Sequence, residues 1–176
     1  MLLLSYLSIL WVLSGFDNKI LSIVQADADS FAGVGCTRIA ATNKNQYLPF
    51  KLGIRDSFMI AHSFRHEDFG PAQNLHGATY TCDVEFHCSE LQSPQNWVMD
   101  IGKASGILSK VLSMYHLKNL DEIFTNGELT TTEFMAQQIH KQLIECIQTE
   151  NIPFQGKICV KLWESHKAWA SYEEYI

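Results

Sequence analysis

Two histidines carry the first chemical signal in this chain. His76 opens a short segment that ends at Tyr80, and His62 lies within the apolar run of residues 58–64. In an extended strand, residues two apart point to the same face, so a His-x-His pair there could hold one metal ion from one side. Here the residue two positions after His76 is Ala78. The pattern predicts a zinc site with His62 and His76 as ligands, where a catalytic zinc normally takes three protein ligands.

Two other residues could replace the third ligand. His66 follows His62 by four residues near the predicted strand end, and Cys82 shares the strand face of His76. The simpler interpretations are a loop histidine and a buried core thiol. If neither binds metal, His62 and His76 are expected to be hydrogen-bonded histidines of the core or of a cleft.

Six blocks of the sequence together carry a family resemblance. They are residues 58–64, 75–80, 98–102, 118–121, 131–133 and 162–172. In this order they resemble successive blocks of the 6-pyruvoyl-tetrahydropterin synthase and 6-carboxy-tetrahydropterin synthase family. The resemblance implies a tetrahydrobiopterin fold, or T-fold, usually assembled into hexamers. It also implies a zinc ion held by three histidines and the conversion of dihydroneopterin triphosphate.

The same resemblance implies a proton-abstracting base and a proton relay, and both are altered here. Family members carry a cysteine shortly before the His-x-His pair, whereas residues 70–75 contain no thiol. Glu67 is the nearest carboxylate and is the candidate base, with a solvated loop charge as the alternative. The family's Asp-His relay aligns with His116 and Leu117. We predict that His116 takes the relay role, or else caps a helix end through the helix dipole.

The ring-recognition residues of the family have counterparts in this chain. Glu164 matches the glutamate that anchors the pterin ring, since a carboxylate can accept two parallel hydrogen bonds from a ring N–H and its neighbouring amino group. Thr131 and Thr132 match positions near the ring. Residues 130–133 also form a capping box, in which Glu133 would stabilise a helix by about 1 kcal/mol. We predict a pterin-like or purine-like ligand contacted by Glu164, Thr131, Thr132 and Glu133.

Periodicity predicts the elements that position these residues. Strands are expected at about 50–64, 76–90 and 157–164, and two amphipathic helices lie between the second and third of them. The fold class is α+β, a T-fold with an antiparallel four-stranded sheet and two helices packed on one face, in the order ββααββ. We expect residues 49–176 to form this domain and residues 1–48 to be an N-terminal extension.

Composition limits the classes of function. The chain has 176 residues, of which 47% are hydrophobic and 18% are charged. A charged fraction below the usual ~25% favours a homo-oligomer, for which the resemblance implies a hexamer. The formal net charge of -6 and the scattered Lys and Arg residues argue against a nucleic-acid partner.

The N-terminus bears on location. Residues 1–16 are almost wholly apolar and uncharged, and residues 26–28 have a small-x-small pattern. The run is shorter than the ~20 residues that span a bilayer, so we expect no membrane span and a buried or interface-forming helix. Five cysteines without a C-x-x-C pair favour a cytoplasmic protein. The alternative is export through residues 1–28 as a signal peptide.

Three functions are consistent with these observations. The favoured one is a 6-pyruvoyl-tetrahydropterin synthase-like protein with a retained pterin-type pocket but altered zinc and catalytic positions, so that its chemistry is impaired or changed. The alternative is an active zinc-dependent lyase on dihydroneopterin triphosphate, with a relocated third ligand and base. The second alternative is an exported scaffold that keeps only the fold.

Overall fold

A five-stranded sheet organises residues 47–176, the part of the chain that the computed structural model describes. The strand order is β3-β1-β2-β4-β5, in which β3 pairs parallel to β1 and the other neighbours are antiparallel. The strands are β1 (Phe50–His62), β2 (His76–Cys88), β3 (Lys118–Asn119), β4 (Lys157–Trp163) and β5 (Trp169–Tyr175).

The sheet confirms the α+β class and adds one strand to the predicted four. Strand β3 contains only two residues, Lys118 and Asn119, which pair with Ile60 and Ala61 of β1. Two residues are too few for an alternating pattern of apolar and polar side chains, which is the sequence signal of a strand. The predicted strand β4 ends at Trp163, one residue earlier than expected.

Three α-helices and one 3₁₀ helix complete the fold. They are the 3₁₀ helix Glu67–Gln73, α1 (Ile101–Ser113), α2 (Leu120–Ile123) and α3 (Thr132–Thr149). Helix α1 packs against β1, and α3 packs against β4 and β5. The two long helices were predicted from the 3.6-residue spacing of their apolar side chains, and the structure confirms both.

The predicted capping box at the start of α3 is wrong by one residue. The N-cap is Thr131, whose hydroxyl accepts a hydrogen bond from the Phe134 amide at 3.3 Å. Glu133 is therefore the second helical residue, one position too early to close a capping box on the observed N-cap, Thr131. Its carboxylate still lies in the first turn, where a negative charge is favourable to the helix dipole.

The core lies between the two long helices and one face of the sheet. Even-numbered residues of β1, β2 and β4 point towards the helices, because side chains alternate along a strand. Fully buried members of this layer include Phe58, Tyr80, Phe86, Ile158 and Leu162. The odd-numbered residues form the other face, which carries most of the charged side chains of the sheet.

Residues 1–46, which contain the predicted apolar helix and most of the connector, lie outside the described residues. The N-terminal part of the proposed domain division therefore stays a prediction. Within residues 47–176, no helix is both long enough and apolar enough to cross a membrane.

Replacing Gly156 with alanine is expected to destabilise the fold. Gly156 lies immediately before β4, and a Cβ atom built there would collide with the carbonyl oxygen of His87. We expect Gly156→Ala to lower the free energy of unfolding by about 1–3 kcal/mol, because backbone must move to accommodate the methyl group. Gly106→Ala is the matched control, since Gly106 lies on the exposed side of α1 with open space around it and should gain about 0.5–1 kcal/mol. Urea denaturation would measure both, and equal effects would contradict the prediction.

The buried His140 is expected to make stability depend on pH. His140 of α3 is only 1% exposed, and its ring lies edge-on to Tyr172 with 4.9 Å between centroids. Burial lowers the pKa of His140, so the unfolded chain binds more protons below about pH 6.5. Stability is then present above that pH and is lost as the pH falls through the folded-state pKa. Denaturation between pH 7 and pH 5 should show this loss, and His140→Gln should make the slope shallower; an unchanged slope would contradict the prediction.

Candidate functional site

The register of β1 and β2 brings His62 and His76 together. The two residues are direct partners at the end of the antiparallel pair, so their side chains leave the sheet on the same face. Their ring centroids are 4.6 Å apart. His62 is fully buried and His76 is half-buried.

Hydrogen bonds to backbone carbonyls define the free nitrogen of each ring. His62 Nδ1 lies 3.2 Å from the carbonyl oxygen of Thr130, and His76 Nδ1 lies 2.9 Å from that of Asn74. A carbonyl oxygen only accepts, so each Nδ1 carries the proton and each Nε2 keeps a free lone pair. His62 Nε2 is buried and has no hydrogen-bond partner within residues 47–176. Metal-binding histidines commonly show this anchoring of the second ring nitrogen.

His62 is held in its neutral form. Burial, followed by the neighbouring His76, lowers the pKa of His62, and the Thr130 carbonyl, Glu164 and Asp121 oppose this effect. Asp121 is itself anchored, because Ser63 donates to it from its backbone amide at 3.2 Å and from its hydroxyl at 2.6 Å. Thr130 and Asp121 were not predicted as site residues, because only the folded chain brings them close to His62.

Aromatic rings close one side of the histidine pair. The ring of Phe64 lies 4.6 Å from that of His62 and 5.9 Å from that of His76, measured between centroids. Phe69 of the 3₁₀ helix stacks on Phe64 at 4.3 Å. This apolar wall shields the histidines and strengthens electrostatic interactions beside it.

The described residues do not complete a three-ligand zinc site. The face position after His76 is Ala78, and residues 47–176 contain no cluster of three His, Cys, Asp or Glu side chains suited to a metal ion. Burial raises the pKa of Cys82 to about 12, so its thiol stays protonated and is a poor ligand. His66 Nδ1 accepts a hydrogen bond from the Asp68 amide at 3.3 Å and caps the 3₁₀ helix. This part of the chain therefore supplies two of the three protein ligands that a catalytic zinc ion normally takes, His62 and His76.

The structure places Glu164 in the same neighbourhood as the histidines. Glu164 directly follows β4, and its carboxylate is close enough to raise the pKa of His62. Thr132, the first residue of α3, donates its hydroxyl proton to Glu164 Oε2 at 2.9 Å. Glu164 Oε1 accepts no hydrogen bond from any group in the described part of the chain and is open to an incoming donor. Thr132 thus holds Oε2 of Glu164 in place, and Oε1 is available to a ligand.

Tyr80 adds a buried hydroxyl that sequence reasoning assigned only to the core. Burial raises the pKa of Tyr80 to about 12, while nearby Thr132 lowers it and Glu164 raises it. The hydroxyl is buried without a standard hydrogen bond inside residues 47–176, although Thr132 lies close to it. Tyr80 follows His76 and Ala78 at two-residue spacing on β2, and this shared strand face is the signal that could have identified it.

Other predicted site residues lie apart from this cluster. Glu67 is exposed in the 3₁₀ helix and forms no hydrogen bond or ion pair within residues 47–176. His116 lies just after the C-cap of α1, and its Nδ1 accepts a hydrogen bond from the Met59 amide at 3.2 Å, so its side chain binds the edge of β1. It lines a separate cavity of about 140 Å³. Within the described chain, neither residue is hydrogen-bonded or ring-stacked to His62 or His76.

Solved structures share this fold. The match to Caenorhabditis elegans 6-pyruvoyl tetrahydropterin synthase has a TM-score of 0.60 and 23% identity, and it covers 71% of this chain and 95% of that one. The match to the Plasmodium falciparum enzyme has a TM-score of 0.57 and 16% identity, and it covers 74% of this chain and 100% of that one. A Plasmodium vivax form, with a catalytic glutamate replaced by alanine, matches with a TM-score of 0.56 and 16% identity over 72% and 98% of the two chains. At these identities the likeness establishes the T-fold alone.

Sequence comparison establishes the family. No curated protein sequence matches the chain. The model of the family described as 6-pyruvoyl tetrahydropterin synthase matches residues 51–175, which includes both histidines, Thr132 and Glu164. This range is more than half of the 176 residues, and it coincides with the five-stranded sheet and its helices. The chain therefore belongs to the 6-pyruvoyl tetrahydropterin synthase family.

Proposed function

We propose that this family member keeps a pocket for a pterin-like or purine-like ring, anchored by Glu164, and has altered zinc and catalytic positions. The observation that carries the proposal is the oriented Glu164 carboxylate beside a histidine pair that lacks a third donor in residues 47–176. The protein would then bind the ring without carrying out the reaction of the family. The chemistry of the family is impaired or changed in this chain.

Glu164 supplies the geometry that ring recognition needs. A 2-amino-4-oxo pyrimidine ring presents a ring N–H and an amino N–H side by side, and a carboxylate can accept both in one plane. The hydrogen bond from Thr132 restricts how the carboxylate rotates, which lowers the entropy cost of binding. The protonated hydroxyl of Tyr80 offers one more buried donor or acceptor beside this carboxylate.

Within residues 47–176, neither Glu67 nor His116 is hydrogen-bonded or ring-stacked to His62 or His76 as a proton-transfer group would be. The pKa of His62 is lowered, so His62 is neutral at pH 7 and could accept a proton or a hydrogen bond through Nε2. The family's thiol base has no counterpart in residues 70–75, and His116 is engaged at the edge of β1. Binding of a ring is thus better supported than its conversion.

An active zinc-dependent lyase is the second candidate, and one observation favours it. Both histidines have Nδ1 bonded to a carbonyl and Nε2 free, which is how ligating imidazoles are oriented. The missing ligand would then come from outside residues 47–176 or from a neighbouring subunit. Glu67 would be the base, as a glutamate is named catalytic in the Plasmodium vivax protein.

Assembly into a homo-oligomer, with a hexamer as the size that the family implies, is part of the proposal. The exposed large apolar side chains of residues 47–176 include Met59 at 45%, Leu75 at 63% and Leu117 at 71%. Met59 and Leu117 are neighbours, since the Leu117 amide donates to the Met59 carbonyl at 2.7 Å. Burying such side chains between subunits would be favourable. A cytoplasmic location is also proposed, supported by the free thiols of Cys82, Cys88, Cys146 and Cys159.

Neopterin should stabilise the protein through Glu164. We expect neopterin, which carries the 2-amino-4-oxo ring, to raise the melting temperature in differential scanning fluorimetry. Glu164→Ala should abolish the shift, because losing the charged acceptor weakens binding by about tenfold or more. Glu173→Ala is the control, since this exposed glutamate lies on β5 and pairs with Lys157. A panel of pterins and purines that produces no shift in the unaltered protein would refute the pocket.

Restoring a histidine at residue 78 should create a complete metal site. Ala78 shares the strand face of His76, so Ala78→His would add a third imidazole and raise zinc affinity by about tenfold or more. Thr79→His is the matched control, because residue 79 points to the opposite face of β2. Competition with a chelator would measure zinc binding for each variant. Tight binding of one zinc per chain by the unaltered protein would instead support the lyase.

A further inference from the structure

A cavity lies on the sheet face opposite the helices. It has a volume of about 390 Å³ and is lined by Arg55, Thr79, Thr81, Trp163, Ser165 and His166. The lining residues of β1, β2 and β4 are odd-numbered, whereas the core and the histidine pair use even-numbered positions. We propose that this cavity binds a tetrahedral oxyanion of the phosphate type, free or as part of a small molecule. This site is separate from the ring pocket and does not depend on it.

Strand pairing places two charged residues beside the lining of this oxyanion cavity. Arg55, which lines the cavity, lies opposite Asp83, and Asp83 lies opposite Lys161, so the three form one row across β1, β2 and β4. The next row towards the β4–β5 turn contains Thr81, Trp163 and Trp169. Cations, hydroxyls and indole rings are therefore adjacent on one rigid surface.

Asp83 holds two of the lining side chains, Arg55 and Trp163, in place beside the cavity. It accepts hydrogen bonds from Arg55 Nε, from Arg55 Nη2 at 2.8 Å and from Trp163 Nε1 at 2.8 Å. The Arg55 guanidinium, with help from Trp163, holds the pKa of Asp83 below its usual value despite partial burial. Both carboxylate oxygens are thus engaged, and the Arg55 Nη1 protons stay available to a ligand.

Lys161 contributes a positive charge that no carboxylate neutralises through an ion pair in the described residues. Its Nζ lies 4.4 Å from the ring centroid of Trp169 and 5.6 Å from that of Trp163. These cation–π contacts position the ammonium group without consuming its charge. An ammonium group has three donors and no acceptor, so it favours an anionic partner.

The remaining polar groups of the cavity can also donate. The hydroxyls of Thr79 and Thr81 form no hydrogen bonds with groups of residues 47–176. Ser165 Oγ accepts from the amides of Lys167 and Ala168, both at 3.2 Å, which leaves its own proton free. The lining thus contains the Arg55 guanidinium and three hydroxyl groups that can donate to a ligand. A tetrahedral oxyanion has oxygens on all sides and matches this arrangement better than a planar carboxylate does.

The charges of the sheet face are segregated in a way that favours an anion here. Glu85 and Glu173 lie one row farther from the cavity and are paired with Lys51 at 3.8 Å and Lys157 at 3.0 Å. The row that runs from Arg55 beside the cavity thus has two cations and one carboxylate in a chain whose net charge is -6. This local excess would attract a phosphate group to the cavity.

Binding of inorganic phosphate to the full chain tests the proposal. We expect saturable binding by ³¹P NMR titration at constant ionic strength, weakened about tenfold or more by Lys161→Gln, which removes a charged donor. Lys157→Gln is the matched control, since it removes the same charge from the same face of β4 but at a residue paired with Glu173. Lys157→Gln should change the dissociation constant less than about twofold. Equal losses in both variants, or no saturable binding, would overturn the proposal.

Two more variants guard against misfolding and separate the two sites. Thr81→Val removes one hydroxyl at constant shape and should weaken phosphate binding severalfold without a change in melting temperature. Glu164→Ala should leave phosphate binding intact even though it abolishes the neopterin shift. Loss of phosphate binding in Glu164→Ala would place the anion in the ring pocket and overturn the assignment. Repeating the titration with a nucleoside monophosphate shows whether the cavity accepts an esterified phosphate, which should bind at least as tightly as the free ion.

Discussion

The antiparallel pairing of β1 with β2 is the constraint on which the rest of the structure depends. Its register makes His62 and His76 direct partners and gives every even-numbered residue of both strands the helix-facing side. A slip of β2 by one residue would turn His76 and Tyr80 away from the face that His62 and Phe58 of β1 occupy. Burying Phe58, Tyr80 and their neighbours under the two helices therefore determines the position of the candidate site as well as the stability of the fold.

The two faces of one sheet support two different kinds of chemistry. On the helix-covered face, burial keeps His62 neutral and places Glu164 beside a hydroxyl donor. On the other face, Arg55 and Lys161 keep their full charge at a surface that water can reach. The turn between β4 and β5 belongs to both, since Glu164 and Ser165 are consecutive residues. Strand alternation places the histidine pair on one face of the sheet and Arg55, Thr79 and Thr81 on the other, which is why the two proposed sites are separate.

In the proposed function, family membership does not carry the family's chemistry with it. The fold follows the family, and Glu164 stands where the resemblance implies a ring-binding glutamate. The resemblance implies a complete set of zinc ligands, a base and a relay in one place, and the proposed function rests on the change of residue type at each of these positions. Ala78 shows the difference clearly: alanine fits the strand and the packing, yet it offers no lone pair to a metal ion. A substitution at residue 78 can therefore preserve the fold and still remove a metal ligand.

Periodicity and the family resemblance predicted the α+β class, four strands, both long helices and the candidate residues His62, His76 and Glu164. The sequence by itself determined these features, because they depend on local alternation and on residue types. Only the tertiary structure decided that Thr130 anchors His62, that His116 binds the edge of β1, that Thr131 caps α3, and that Arg55, Asp83 and Lys161 form one row. These contacts depend on the strand register or on where a helix begins. No short stretch of sequence specifies either of them.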